Sequence, residues 1–187
     1  FVQWTNDGIQ FLRSYEIFGL FTFREFTRSI ADGVDVLLGF TEAVLHKGFA
    51  DAGIGPMPWI MIFGLAIVLG LYLKGWRLAL LGGGCFFYLA LFSQRGIWEL
   101  SMKTLSAIAV STPLAAIIGI ALGILAAKRK RIHSFVWPFL NVLQSLPHFS
   151  YLILVAIFFG IGSKAGVIAT VIFAFPPMTR LTILGLK

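Results

Sequence analysis

Gln144, His148 and Tyr151 are polar side chains set in a run, residues 132–163, that holds no formally charged residue when its histidines are neutral. They stand four and three residues apart, so they share one helical face if the turn at Pro147 stays helical. Polar groups inside an apolar span face protein or water. With Pro147 they therefore read as one wall of a path for a polar solute. Pro113, Pro138, Pro147, Pro176 and Pro177 all fall in or beside apolar runs, where proline withholds a backbone donor and bends a helix. Broken helices tend to line cavities, although structural kinks account for the prolines equally well. Gly119 and Gly123, with Ala115 one turn earlier, give the third run a small-residue face that lets another helix approach closely.

Catalytic chemistry finds little support. After Asp51 the only carboxylate is Glu99, so no carboxylate pair can form in the apolar part. His46, His133 and His148 lack metal-ligand spacing and Cys85 is alone, so no metal site is expected. No glycine-rich phosphate loop with its lysine is present. His148 lies near Ser145 and Ser150, but no acid is available to orient it as a general base. The expectation is no catalytic residue, no bound cofactor and no enzyme.

What must position the polar trio is a set of membrane helices. Of 187 residues, 58% are hydrophobic and 12% charged, against about 25% charged in a soluble domain. Mean hydropathy is +0.91. Five charge-free runs follow one another at 52–73, 78–94, 104–127, 132–163 and 165–179, and about 20 apolar residues cross the hydrocarbon core. The fold class expected is all-α, a polytopic helical membrane protein of about five spans. Residues 1–51 carry seven acids and four bases, a net of −3, while residues 52–187 carry one acid and 11 bases, a net of +10. The bases flank the runs, which argues for membrane flanks rather than nucleic acid. Eight of them, including Lys128 to Arg131, fall on one side and three on the other. The positive-inside rule then places the N-terminus outside and Lys187 inside.

Residues 1–55 are expected as an external or interfacial segment, 56–103 as two peripheral spans and 104–187 as three core spans. Within the first, Phe26, Ile30, Val34, Leu37, Leu38, Thr41 and Leu45 recur at steps of three and four. The period predicts an amphipathic helix over Phe23 to Lys47, lying in the membrane interface or belonging to a small soluble pre-domain. Gly53, Gly55, Pro56 and Pro58 should end it. Trp4, Trp59, Trp76, Trp98 and Trp137 sit near run ends, as an interfacial belt would.

Thr104 to Lys187 resembles the inner-membrane permease subunit of bacterial ABC importers for glycine betaine, proline betaine, trimethylamine N-oxide and related osmolytes. The resemblance rests on Gln144, Pro147, Phe149, Tyr151 and Leu152; on Phe159, Gly160 and Gly162; and on Phe173, Ala174, Pro176, Pro177, Arg180, Thr182 and Gly185. Residues 1–103 fit more loosely. The resemblance implies a type I ABC importer permease core, a second permease copy, ATP-binding subunits that bind ATP and Mg, and an external solute-binding protein. It makes Arg180, Gly185 and Lys187 the approach to a coupling region on the ATPase side. The chain stops at Lys187, before the Glu-Ala-Ala coupling motif, so the C-terminal part of the core is expected to be absent. The other function classes left open are a secondary transporter and a structural subunit of a membrane complex.

Overall fold

The structure, a computed structural model, describes residues 16–17, 21–49, 53, 55–91 and 96–186. Trp4 and Lys187 lie outside the described residues. Helices dominate. The one exception to the all-α expectation among the described residues is an antiparallel pair of two-residue strands, β1 (Glu16–Ile17) and β2 (Phe21–Thr22), with Glu16 opposite Thr22. The chain forms two compact units, residues 38–109 and residues 1–37 with 110–187.

Helix α1 (Phe23–Glu42) follows the strands, with Glu25 in its first turn, where an acid complements the helix dipole. The helix widens into a π turn over Ala43–Lys47 and stops at Gly48 (φ 78°), whose N–H returns to the Ala43 carbonyl at 2.7 Å. A π turn brings residues five apart into register, and Glu42 and Lys47 form an ion pair across it. The expected helix is therefore present, but its buried stripe is narrower than the apolar set. Thr27, Ala31, Val34, Leu38 and Glu42 are buried, whereas Ile30, Leu37 and Phe40 are exposed. The apolar arc is wide enough to meet protein along one edge and leave the other edge free.

Residues 55–58 form no helix, since a residue before proline avoids the helical region, and Pro58 is extended (φ −58°, ψ 142°) just before the next one. Helices α2 (Trp59–Lys74) and α3 (Trp76–Leu91) then form an antiparallel hairpin. A single residue, Gly75 (φ 81°), joins them. A Cβ at Gly70 would lie 2.5 Å from Ala79 Cα, and one at Gly83 2.9 Å from Ile67 Cγ1. The Phe63 and Phe87 rings meet at 6.2 Å. Leu65, Val68, Tyr72 and Leu73 face outward from the hairpin. Each arm has 16 residues, about 24 Å, against a core of about 30 Å. The first two expected spans are thus short helices, because the prolines cut off the head of the first run and Gly75 ends it.

Helix α4 (Ile97–Lys128) runs 32 residues, straight through Pro113 in sequence. Arg129 is extended (φ −127°, ψ 110°) and separates α4 from α5 (Lys130–Ser145). Helix α6 (His148–Phe159) follows, then α7 (Ser163–Gly185) after the Gly160–Gly162 turn, with φ 84° at Gly160. The expected fourth span, 132–163, is therefore two helices. The α5 axis and that of α6 from Ser150 onward diverge by 99°. The expected interruption at Pro176 and Pro177 is absent, since α7 continues through both. Pro176 is buried in the packed face of α7, and such packing sustains a helix that lacks two N–H donors. By length and apolarity α4 and α7 can each cross a membrane, and the bent α5–α6 pair is a third candidate.

Candidate functional site

The seam between α4 and α7 is built on glycine. A Cβ at Gly119 would lie 2.6 Å from Met178 Cβ and 3.0 Å from the Phe175 carbonyl. A Cβ at Gly123 would lie 2.5 Å from Thr182 Cβ and 3.0 Å from the Thr179 carbonyl. Both separations are below contact distance, so the backbones meet only because no side chain intervenes. Ala115 and Ala126 continue the seam as buried residues. Thr179 and Thr182 turn their hydroxyls back to the Phe175 and Met178 carbonyls at 2.9 Å, so both are paired within α7. Leu140 of α5 joins Ala126 and Ile183 in the core beside it, each at most 1% exposed.

The bend between α5 and α6 has a local cause. In a continuous helix the Leu143 carbonyl would accept the N–H of residue 147. Pro147 has none, and Leu146 (φ −77°, ψ 137°) and Pro147 (φ −62°, ψ 141°) are both extended. The Tyr151 hydroxyl donates to the Leu143 carbonyl instead and fastens the bend from inside, where Tyr151 is buried. Helical continuity through Pro147, on which the shared face of Gln144, His148 and Tyr151 depends, does not occur. Gln144 and Pro147 are exposed near the end of α5. His148 begins α6, and its side chain lies outside the described residues. The structure brings Tyr151 to the α5 backbone rather than to Gln144. The clamp is made by a proline four residues after Leu143 and a tyrosine eight after it.

Arg180 of α7 also engages α5. Its guanidinium lies over the Trp137 ring at 5.0 Å and donates to Asn141 Oδ1. Trp137 in turn stacks on His133, centroids 5.3 Å apart and planes 16° apart. Trp137 is thus the middle layer of a stack between His133 and Arg180. Trp59 and Trp76, at the starts of α2 and α3, are exposed. Gly185 closes α7 with open space where a Cβ would stand.

A cleft of about 550 Å³ lies between α1 and the α6–α7 turn, lined by Arg28, Asp32, Phe158, Phe159, Gly160 and Lys164 among others. Lys164 reaches Asp35 of α1 at 2.6 Å. Elsewhere, burial pushes the His46 imidazole below its ordinary range, against the opposing pull of Glu42. Neither ring nitrogen has a hydrogen-bond partner. Among the described residues no group of His, Cys, Asp and Glu is placed to hold a metal ion.

No family model matches the chain. Among characterised proteins, it is 44% identical over 161 residues, 86% of its length, to the trimethylamine N-oxide transport system permease protein TmoV of Ruegeria pomeroyi. It is 35% identical over 96% of its length to the TmoV protein of Pelagibacter ubique. It is 30% identical over 99% of its length to the glycine betaine/proline betaine transport system permease protein ProW of Escherichia coli. The chain spans 24% of the length of each TmoV protein and 47% of ProW. The glycine seam, the bent segment and the long apolar helices therefore belong to a membrane chain whose homologues are permease proteins of trimethylamine N-oxide and glycine betaine transport systems.

Proposed function

We propose that the chain forms part of the transmembrane permease subunit of an ATP-driven importer for a small osmolyte such as glycine betaine, choline or trimethylamine N-oxide. The observation that carries this reading is the 44% identity to a trimethylamine N-oxide permease protein over 86% of the chain. In this reading the subunit lies in the bacterial inner membrane with its N-terminus outside and Lys128 to Arg131 in the cytoplasm. Two copies frame the path, ATP-binding subunits hydrolyse ATP with Mg, and an external solute-binding protein delivers the solute. The permease itself is a transport subunit rather than an enzyme.

Helix α1 lies along the outer surface, with Ile30, Leu37 and Phe40 toward lipid and Arg28, Asp32 and Asp35 toward water. Gln144, Pro147, His148 and Tyr151 mark the α5–α6 bend as a lining of the path, since non-helical backbone at membrane depth is tolerated beside protein or a cavity. Arg180, Gly185 and Lys187 lead to the coupling region. Uptake of radiolabelled glycine betaine and trimethylamine N-oxide into proteoliposomes tests the reading, using the full permease with its ATPase and binding protein. ATP-dependent uptake is the expected result. Uptake driven by an ion gradient without ATP would make the protein a secondary transporter.

A further inference from the structure

The α1–α6/α7 cleft presents an unusual combination of groups on one small surface. Arg28 and Asp32 stand one turn apart on α1, so both charges face the same side. Phe158 and Phe159 come from the end of α6 and Lys164 from the start of α7. The volume, about 550 Å³, lies within the range of about 300–1,000 Å³ seen for small-molecule sites. Lys164 is held on Asp35 at 2.6 Å, which fixes one cationic wall. The cleft thus carries cations for an anion, and a carboxylate with aromatic rings for a cation. A methylated ammonium is attracted to aromatic faces, and a carboxylate or N-oxide oxygen accepts hydrogen bonds from a guanidinium.

We propose that this cleft is a binding site for a zwitterionic methylated amine, its anionic end on Arg28 and Lys164 and its ammonium end on Asp32, Phe158 and Phe159. The proposal rests on the transport reading for its ligand class, and on the cleft alone for its location. A solute whose two charges are joined by a short linker meets both walls at once, whereas either half alone meets only one.

The test uses the full permease in nanodiscs and equilibrium binding of three radiolabelled probes: glycine betaine, tetramethylammonium and acetate. Glycine betaine should bind at least about tenfold tighter than either single-charge probe. Arg28→Gln should weaken glycine betaine about tenfold and leave tetramethylammonium within about twofold. Phe159→Ala should weaken both ammonium probes, and Asp32→Asn should do the same without loss of an aromatic ring. Arg28 and Asp32 are exposed, so these two variants test the site without disturbing a packed core. If all variants bind glycine betaine as the parent does, or if tetramethylammonium binds as tightly as glycine betaine, the proposal is overturned. Uptake in the parent is measured in parallel. Transport with unaltered binding in the variants sinks the cleft and leaves the transport reading standing. Binding lost in the variants without any uptake in the parent does the reverse.

Discussion

A methyl group added at Gly123 would sit 2.5 Å from Thr182 Cβ, and the neighbouring Thr179 carbonyl blocks the other direction. Gly123→Ala should therefore cost about 1–3 kcal/mol through overpacking, read as reduced resistance to denaturant in bilayer-like detergent. Gly166 of α7 has nothing within 4 Å of its Cβ position. Gly166→Ala should be neutral or stabilise by up to ~1 kcal/mol. Equal losses at both positions would show that glycine acts through the chain's flexibility instead of the seam. The tyrosine clamp gives a second residue-scale expectation. Tyr151→Phe strands the Leu143 carbonyl and should cost about 1 kcal/mol. The same change in a Pro147→Ala background should cost less, because residue 147 then has an N–H to offer. A double-mutant cycle measures that difference, and a coupling of zero would dissolve the link between the proline and the hydroxyl.

Helix α5 is the element most changed by tertiary structure, and the reason is visible in its residues. Lys130, Ser134, Asn141 and Ser145 recur on one face, while Leu140 points into the core. Reading 132–163 as one span counts formal charges and passes over neutral polar groups, which are also costly in hydrocarbon. The period of α1 was legible because its polar face is charged. The bend at Pro147 was legible as a proline, but not its consequence, which depends on the tyrosine eight residues after Leu143. The Arg180–Trp137–Asn141 contact joins elements distant in sequence, and no local pattern announces it. That contact should hold α5 against α7. Arg180→Ala should raise hydrogen exchange of α5 amides about tenfold, and Arg180→Lys should only partly restore protection because it lacks the planar stacking group. Unchanged exchange would mean that the core around Leu140 alone holds the helix.

The π turn has its own pH response. Burial lowers the His46 pKa in the folded state, and although Glu42 pulls upward, the nearby Lys47 and Lys103 reinforce the lowering while Glu99 opposes it. The unfolded imidazole titrates near about 6.5. A depressed folded pKa means that protons bind the unfolded chain first, so the stability His46 contributes is present above about 6.5 and falls away as pH drops through that value. Denaturation midpoints followed from pH 7.5 to pH 5 should decline, and the decline should flatten in His46→Gln. A parent and variant with parallel profiles would remove His46 as the cause.

At the scale of the molecule, the proposed orientation rests on the charge count, and helix length decides which elements can use it. In the proposed orientation, which rests on eight bases against three, Lys128 to Arg131 lie inside, at the joint between α4 and α5. Lys130→Cys, in a background where exposed Cys85 is replaced by Ser, should resist an impermeant thiol reagent in intact cells and react after permeabilisation. Labelling in intact cells would invert the orientation. Five runs were legible as apolar, but among the described residues only α4 and α7 are long enough alone, because apolarity does not reveal where Gly75 or Pro147 divides a run.

With α2 and α3 as the proposed peripheral spans, their shortness would give the protein a preference for its lipid surroundings. Each arm covers about 24 Å, so a surrounding bilayer of about 30 Å must thin by roughly 6 Å or let the hairpin tip sink below its surface. Hydrophobic mismatch of this kind costs fractions of a kcal/mol per Å. The protein should therefore partition toward short-chain phosphatidylcholines over long-chain ones when both are offered. Lengthening each arm by one turn should shift that optimum to thicker membranes.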